Sequence, residues 1–424
     1  MKSKFVKIMS VLLVLVLLLC SCGEDKPTTT PDDEPVVTET IVPTETIEAT
    51  EEAEATDAQT VAPTETTKAT TAATVKPTAT QTAKPTPTVA PTPTPDPYAK
   101  NTYTIKPNLS SIKLVGRTTM VGNYVTCDWS ASGIEFTADC KGTVKLKIKG
   151  DGGQHTCGYF SVYVDGVKQT NRVQVSTSGT KEVTIATGLK AGEHTFRFLK
   201  QTFIKHAKFT IQSISMNGTL AKEAPAQQKY YMEVIGDSIT SGHGILEKNG
   251  NPSSFDATSA YAFLAAETLK SDYSIVSVDG IGVTKGYQPE NMTQVYPYTN
   301  YYSSTTKKYT ADRQANVVVI NLGTNDATKS SNTTQYIKDV KTLIGQVREV
   351  YKDVPIVWIY NSMRADYNQY TKTAIDELGG ESAGIYMLKF TANTAGGNGH
   401  PSAAAHVKDA QDLANFIKSK GFMK

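Results

Sequence analysis

The hydrophobic positions beyond about residue 100 follow two different periods along the chain. Between residues 101 and 222, apolar and polar residues alternate in short runs separated by glycines, which is typical of half-buried β-strands. The runs are residues 132–137, 143–148, 159–164, 181–185 and 194–199. Asp165-Gly166 indicates a tight hairpin turn, and no segment offers a persuasive helix. The pattern predicts a β-sandwich over residues 99–225, and the jelly roll is one type of that fold.

From Tyr230 onward, continuous apolar runs alternate with patterns of helical period. The predicted strands are residues 232–235, 274–278, 316–321, 356–360 and 385–390, and the predicted helices are residues 260–269, 334–351, 366–378 and 402–418. This alternation predicts a parallel sheet covered by helices on both faces over residues 226–424. In such a sheet the functional groups lie in loops at the carboxyl ends of the strands.

The N-terminus has the pattern of an export signal. Three lysines precede the unbroken apolar run Val11 to Leu19, which is too short to span a bilayer but suits a secretory signal. The run leads into Ser21-Cys22-Gly23, which resembles a bacterial lipoprotein signal with Cys22 as the lipidated mature N-terminus. The alternative is an ordinary cleaved signal. We expect residues 1–22 to be a lipoprotein signal peptide and the protein to be lipid-anchored on the extracellular face of a bacterial membrane.

Residues 23–98 consist mainly of Thr, Pro, Ala, Glu and Val. A segment of this composition buries too little apolar area to offset its ordering entropy, and its prolines favour extended backbone. We predict a disordered spacer that carries the folded part away from the membrane and into a cell-wall layer.

Composition narrows the possible classes of function. The 424 residues carry a net charge of only +2 and show no basic stripe, so no nucleic-acid partner is expected. Beyond the signal the cysteines are Cys127, Cys140 and Cys157, which lack a metal-ligand spacing. We interpret them as buried thiols or at most one bridge, and we expect no metal site and no cofactor.

The stretch VIGDSITSGHG provides a candidate nucleophile. The strand-like run Tyr230 to Ile235 stops at Gly236, so Ser238 lies where a strand turns into a loop or helix. Gly-Asp-Ser turns are common, and a plain turn is the alternative.

The next two strand ends offer hydrogen-bond donors. The loop Asp279–Gly286 contains closely spaced glycine amides, and Asn325 follows the third predicted strand. Together with the backbone amide of Ser238 they could form an oxyanion hole. Alternatively, the glycines only make turns and Asn325 only caps the following helix.

His400 is the predicted general base among three histidines of the C-terminal part. His243 lies in the serine's own loop, too close in sequence to aim back easily, and His406 lies inside the last predicted helix. His400 instead ends a glycine-rich loop directly before Pro401, where the final helix begins.

Together these motifs resemble a known superfamily. Gly236-Asp237-Ser238, Gly282, Gly323-Thr324-Asn325-Asp326 and His400-Pro401 resemble, in order and spacing, the four sequence blocks of the SGNH hydrolases. Upstream, the residues 128–136, Asp165-Gly166 and Gly192-Glu193-His194 are similar to carbohydrate esterase family 2. The resemblance covers residue 110 to the C-terminus. It implies a jelly-roll domain ahead of an α/β three-layer hydrolase domain, and a deacetylase acting on acetylated plant polysaccharides of xylan or mannan type.

The resemblance also implies a role for each residue of the site. Ser238 is the nucleophile, His400 is the base, and the oxyanion donors are the backbone amides of Ser238 and Gly282 with the side chain of Asn325. Asp237 is expected to fix the loop rather than to take part in the chemistry.

The chain departs from the superfamily pattern at two glycines. Most members have an aspartate three residues before the histidine, where this chain has Gly397, and family 2 often has a tryptophan directly before it, where this chain has Gly399. In family 2 a main-chain carbonyl just before the histidine can take the place of that aspartate, so the resemblance implies a Ser238–His400 dyad oriented by a carbonyl near Asn398 or Gly399. A carboxylate such as Asp326 or Asp366 beside His400 would instead make a triad. These glycines also keep open a rival hypothesis, a surface lipoprotein that binds carbohydrate with little or no turnover.

Overall fold

The computed structural model describes residues 95–105, 110–122, 124–304 and 306–424. The predicted signal peptide, the predicted lipidation site Cys22 and residues 23–94 of the predicted spacer lie outside the described residues. Within the described ranges, no helix is long and apolar enough to cross a bilayer.

The N-terminal part is an antiparallel β-structure, as predicted. Its strands are β1 (Lys100–Thr104), β2 (Ile112–Val115), β3 (Thr119–Val121), β4 (Tyr124–Thr126), β5 (Gly133–Asp151), β6 (Cys157–Val164), β7 (Val167–Lys168), β8 (Val173–Ser176), β9 (Ser178–Lys200) and β10 (Phe209–Leu220). Their core combines aliphatic residues with five phenylalanines, and in it Phe136 stacks on Phe196 and Phe160 stacks on Phe198. The arrangement agrees with the expected jelly-roll-like domain.

Two long strands replace two pairs of short predicted ones. Each of β5 and β9 joins two predicted runs, and the two strands pair with each other from Gly133 to Asp151. Their register shifts around Gly142, whose backbone is left-handed with φ 76°. A bulge bends a strand without ending it, which explains why the sequence pattern is interrupted there.

The predicted hairpin at Asp165-Gly166 is confirmed. Asp165 (φ 52°) and Gly166 (φ 78°) connect β6 to β7, and Val164 pairs with Val167. Positive φ at both central residues is the geometry of a two-residue type I′ turn.

The C-terminal part contains the predicted parallel sheet. Its strands are β11 (Tyr230–Gly236), β12 (Ser271–Ser277), β13 (Val317–Asn321), β14 (Ile356–Tyr360) and β15 (Ile385–Lys389), arranged in the order β12-β11-β13-β14-β15. Neighbouring residues of one strand enter opposite cores, so that Val234 packs on one face of the sheet and Ile235 on the other. Burial on both faces explains why these strands are continuous apolar runs.

Helices cover both faces of this sheet and complete the predicted three layers. The helices are α1 (Tyr261–Leu269), α2 (Met292–Val295), α3 (Thr324–Thr328), α4 (Thr333–Val350), α5 (Asn368–Glu377) and α6 (Ala403–Lys420). The helices α1 and α6 pack on one face, and α4 and α5 pack on the other. The short helices α2 and α3 lie where no helix was predicted.

The N-terminal part contributes side chains to the core of the C-terminal part. Trp129 and Phe203 belong to the same buried cluster as Trp358 of β14. The indole N–H of Trp129 donates to the carbonyl of Thr299 at 2.8 Å. The boundary predicted at residue 225 therefore separates two folds that share packing, and its position stays a prediction.

The three cysteines are free thiols. Cys127 and Cys140 are buried and Cys157 is half-buried. Burial raises the pKa of the Cys140 thiol to about 11, so this side chain is a protonated apolar group at neutral pH.

Candidate active site

Ser238 lies directly after β11, at the carboxyl edge of the parallel sheet. Its side chain is 4% exposed. The turn that carries it is closed by two backbone bonds, from His243 N to Ser238 O at 3.1 Å and from Ser241 N to Asp237 O at 3.0 Å. The serine hydroxyl is thereby held on a short, internally bonded loop, which is the position that the sequence predicted.

His400 contacts this serine. The distance between His400 Nε2 and Ser238 Oγ is 2.8 Å, and His400 Nδ1 lies 3.2 Å from the carbonyl oxygen of Asn398. A carbonyl oxygen can only accept, so Nδ1 carries the proton and Nε2 is free to accept from the serine hydroxyl. The structure thus brings together the two residues and the main-chain carbonyl that were predicted as an oriented pair.

Burial sets the proton affinity of this imidazole. Burial and, to a smaller extent, the neighbouring His243 lower the pKa of His400 to about 4, while Asp279 opposes the shift. At neutral pH the ring is therefore in the unprotonated form that a general base requires.

Close backbone packing explains the glycine at position 397. The Gly397 N–H donates to Gly244 O at 2.9 Å, and a Cβ atom at Gly397 would lie 2.2 Å from Glu247 O. The loop after Ser238 therefore fills the space that a side chain at position 397 would need.

Neither of the two carboxylates considered as a third member bonds to His400. Asp326 accepts the backbone N–H groups of Val283, Thr284 and Lys285 at 2.8–2.9 Å. Asp366 pairs with Arg364 at 2.9 Å near the surface. Asp326 instead fixes the loop that follows Gly282. The position of Asp326 directly after Asn325 is the only sequence feature that points to this role.

The three predicted oxyanion donors differ in whether they already make hydrogen bonds within the protein. Among the residues described, none accepts a hydrogen bond from the backbone N–H of Ser238 or of Gly282. In contrast, the side-chain nitrogen of Asn325 donates to Asp237 Oδ2 at 3.1 Å and to Ile281 O at 2.9 Å. Both amide hydrogens of Asn325 are engaged, so donation to a substrate requires one of these bonds to open or to be shared.

Asp237 has the contacts of a residue that fixes the loop. Its carboxyl accepts from Ile239 N at 3.0 Å and from the side chain of Asn325. Burial, with smaller contributions from the charges of Asp279 and Asp326, raises the pKa of Asp237 to about 8. The carboxyl is therefore largely protonated at neutral pH and adds little charge beside the serine.

His243 belongs to the site, although the sequence argument set it aside. Its ring stacks on that of His400 with centroids 4.1 Å apart and planes 19° apart. Sequence distance bears only on whether His243 could reach Ser238, and it does not bear on whether the His243 ring packs against His400. The signal that could have found it is the histidine of GDSITSGHG itself, five residues after Ser238.

His243, Asp279 and His400 also bring ligand-type atoms within 4.8 Å of one another. A metal ion binds an imidazole nitrogen in the plane of the ring. Because the two rings are stacked almost in parallel, one ion cannot lie in both planes without a large rotation of one ring. The geometry is that of a packed and hydrogen-bonded cluster, and it does not fit a shared ion.

Comparison with known proteins agrees with this geometry. Residues 114–225 match the model of the carbohydrate esterase 2 N-terminal domain, and residues 234–408 match the GDSL-like lipase/acylhydrolase family. The chain carries a GDSL-like hydrolase domain behind a carbohydrate esterase 2 N-terminal domain. The resemblance inferred from four short motifs is thereby confirmed, and the predicted dyad lies within the hydrolase domain.

Two curated relatives carry informative names. The chain is 29% identical over 324 residues to the cellulase/esterase CelE of Acetivibrio thermocellus, which covers 70% of this chain. It is 25% identical over 257 residues to an acetylxylan esterase/glucomannan deacetylase of Cellvibrio japonicus, which covers 54% of this chain. The matches span 38% of the first relative's length and 69% of the second's.

Solved structures show the same two-part fold. A family two carbohydrate esterase from Clostridium thermocellum, in complex with cellohexaose, is 27% identical and matches with a TM-score of 0.68 over 74% of this chain and 100% of that chain. An acetyl xylan esterase from Butyrivibrio proteoclasticus, at 19% identity, matches with a TM-score of 0.69 over 77% of this chain and 100% of that chain. The second likeness shows the fold alone.

Proposed function

We propose that this chain is an O-acetyl esterase that removes acetyl groups from plant polysaccharides of xylan or mannan type. The observation that carries the proposal is the 2.8 Å contact between Ser238 Oγ and His400 Nε2, in a ring whose other nitrogen faces a carbonyl. The names of the carbohydrate esterase relatives support the substrate class.

The proposed reaction begins with attack of Ser238 Oγ on the acetyl carbonyl carbon while His400 Nε2 takes the hydroxyl proton. The developing oxyanion accepts hydrogen bonds from the backbone N–H groups of Ser238 and Gly282, and from Asn325 if one of its present bonds opens. The imidazolium then returns the proton to the departing sugar hydroxyl. Water, activated by the same imidazole, releases acetate and restores the serine.

Acetate release by the full-length chain tests this proposal. The purified protein should release acetate from acetylated xylan or acetylated glucomannan and should hydrolyse nitrophenyl acetate, with the Ser238→Ala variant as the matched control. Tight binding of these glycans without acetate release would contradict the proposal and favour the rival carbohydrate-binding hypothesis. The ratio of rates on xylan and glucomannan would identify the preferred polymer.

We further propose that Cys22 carries the lipid and holds the enzyme on the extracellular face of the membrane. The sequence pattern around Cys22 supports this proposal. Metabolic labelling with a fatty acid in a bacterial host should label the wild type and Cys20→Ala, but not Cys22→Ala. Equal labelling of both variants would rule out Cys22 as the lipidated residue, and no labelling of the wild type would rule out the anchor.

The lowered pKa of His400 predicts an enzyme that keeps its activity in mild acid. A base with a pKa of about 4 is still unprotonated at pH 5, so kcat/KM should be nearly constant from neutral pH down to about pH 5. Below about pH 4 it should fall about tenfold per pH unit, because the protonated ring cannot accept from Ser238. Rates on nitrophenyl acetate, with circular dichroism at each pH, check this. An acid limb near the ordinary histidine pKa would contradict it.

Removal of the Asp326 carboxylate should impair the oxyanion loop. In Asp326→Ala the backbone N–H groups of residues 283–285 lose their acceptor. The loop that positions the backbone N–H of Gly282 is then no longer fixed at that point. We expect kcat to fall by about 10²-fold with little change in KM, which is comparable to loss of one oxyanion donor. Asp366→Ala is the matched control, because its carboxylate pairs only near the surface. Equal kcat in the two variants would disprove the role.

A further inference from the structure

Two loops far apart in the sequence meet behind the imidazole of His400. The side-chain nitrogen of Asn398 lies 3.2 Å from His243 Nε2, across 155 residues of chain. Asn398 is also the residue whose carbonyl oxygen accepts from His400 Nδ1. Asn398 therefore bonds to His243 through its side chain and orients His400 through its main-chain carbonyl.

The partners of His243 determine where its proton lies. The Asn398 amide nitrogen can only donate, so His243 Nε2 is the acceptor and the neutral ring carries its proton on Nδ1. That nitrogen lies 3.2 Å from a carboxylate oxygen of Asp279, although the approach is too bent for a hydrogen bond. The carboxylate favours the tautomer that leaves Nε2 free for Asn398.

Asn398 needs this restraint because of its backbone. It adopts a left-handed conformation with φ 50° and ψ 35°, and its side chain is largely exposed. Asparagine tolerates this conformation better than most residues, but an exposed loop residue between two glycines has little else to fix its carbonyl. The bond to His243 is its side chain's contact with the buried part of the site.

Packing holds His243 from the opposite side. Phe255 stacks on its second face with centroids 4.4 Å apart, and Phe203 and His206 of the N-terminal part pack against Phe255 at 5.6 and 4.5 Å. His243 is 7% exposed. A ring fixed on both faces can restrain the ring of His400 that lies against it.

We propose that His243 is the positioning residue of this site, which holds the base His400 by ring stacking and by fixing Asn398, and so supplies the restraint that a carboxylate gives in related enzymes. The inference rests on the proposed function, because positioning matters only if His400 is the base. It assigns His243 no contact with substrate and no proton transfer.

Substitutions at both ends of the bond test the proposal kinetically. His243→Phe keeps a stacked ring but loses the acceptor, and Asn398→Gly keeps the carbonyl and the left-handed backbone but loses the donor. Each should lower kcat on nitrophenyl acetate by about tenfold with KM within about twofold, and the double variant should be no slower than either single variant. His243→Ala should lower kcat by about 100-fold, since it removes the stacked ring as well as the acceptor. His194→Phe, at a ring of β9 that bonds to Asp165 of the β6–β7 hairpin, is the matched control and should leave kcat unchanged.

The acid limb of kcat/KM separates positioning from general damage to the fold. His243, Asp279 and the carbonyls of Gly397 and Asn398 face His400 beside Ser238, and His406 of α6 is near enough to interact with it electrostatically. Loss of His243 should move the acid limb to higher pH, because its ring disfavours the charged form of His400. A variant that is merely less well folded would lose activity equally at every pH.

A measurement without turnover keeps this inference separate from the proposed function. In the ¹H–¹⁵N spectrum of the full-length chain, the Nδ1–H of His400, assigned by its absence in His400→Ala, should exchange slowly in the wild type and fast in His243→Phe and Asn398→Gly. Unchanged exchange in both variants would overturn the positioning role, whether or not the protein hydrolyses esters. Slow exchange in a wild type without esterase activity would instead overturn the proposed function and leave the hydrogen-bond network standing.

Discussion

The Ser238→Ala variant is expected to lose between about 10⁴- and 10⁶-fold in kcat on nitrophenyl acetate while its fold remains intact. Among the described residues, the hydroxyl of Ser238 hydrogen-bonds to His400 Nε2 alone, so alanine removes the nucleophile and little else. His400→Ala should lose a similar factor, because the serine hydroxyl is a poor nucleophile without a base. Residual hydrolysis would come from binding and the oxyanion donors alone.

The double variant makes this prediction sharper. Residues that act as one unit have non-additive effects, so Ser238→Ala with His400→Ala should be about as slow as either single variant. Ser419→Ala, in the exposed last turn of α6, is the matched control and should match the wild type. A double variant slower by the product of the two factors would mean that the two side chains act independently. Wild-type activity in Ser238→Ala would disprove the mechanism.

Arg117→Ala should lower the free energy of unfolding by about 3–5 kcal/mol. The guanidinium and the carboxylate of Glu233 are both fully buried and lie 3.0 Å apart, so removal of the arginine leaves an unpaired buried charge on β11. Arg117 also donates to the carbonyl oxygens of Tyr296 and Tyr298 at 2.8 and 3.0 Å and lies over the ring of Tyr309 at 3.6 Å. This one side chain joins the N-terminal part to the sheet that carries Ser238.

Urea unfolding followed by fluorescence and circular dichroism measures this effect, provided that both probes give one transition. Arg117→Met combined with Glu233→Met should be more stable than Arg117→Ala, because no unpaired charge remains. Lys372→Ala, which breaks an exposed pair with Asp376, should change the midpoint little. A similarly small effect of Arg117→Ala would show that Glu233 finds another partner or a proton.

The sequence predicted the catalytic domain well because its elements are built from local patterns. All five parallel strands and four long helices lie within a few residues of the predicted positions, since strands buried on both faces are continuous apolar runs and the helices keep one apolar face. The same rule placed Ser238 at a strand end. In the N-terminal part, the bulge at Gly142 interrupts the alternation, so the sequence predicted two short strands where the chain forms one.

The roles of the side chains around the dyad depended on contacts between distant loops. Nothing local indicated that both hydrogens of Asn325 would bond to Asp237 and Ile281, or that Asp326 would hold residues 283–285. His243 was set aside because sequence distance describes reach along the chain, whereas its contact with His400 depends on how the two loops pack.

By itself, the sequence determined the two fold classes, the serine at the strand end and the histidine before the last helix, and its resemblance to family 2 implied that a carbonyl replaces the usual carboxylate. These features follow from short-range periodicity and from ordered motifs. Only the tertiary structure decided what holds His400 in place. The backbone of the loop after Ser238 packs so closely on Gly397 that no side chain fits there, and the restraint passes to Asn398 and His243, two residues that only folding brings together.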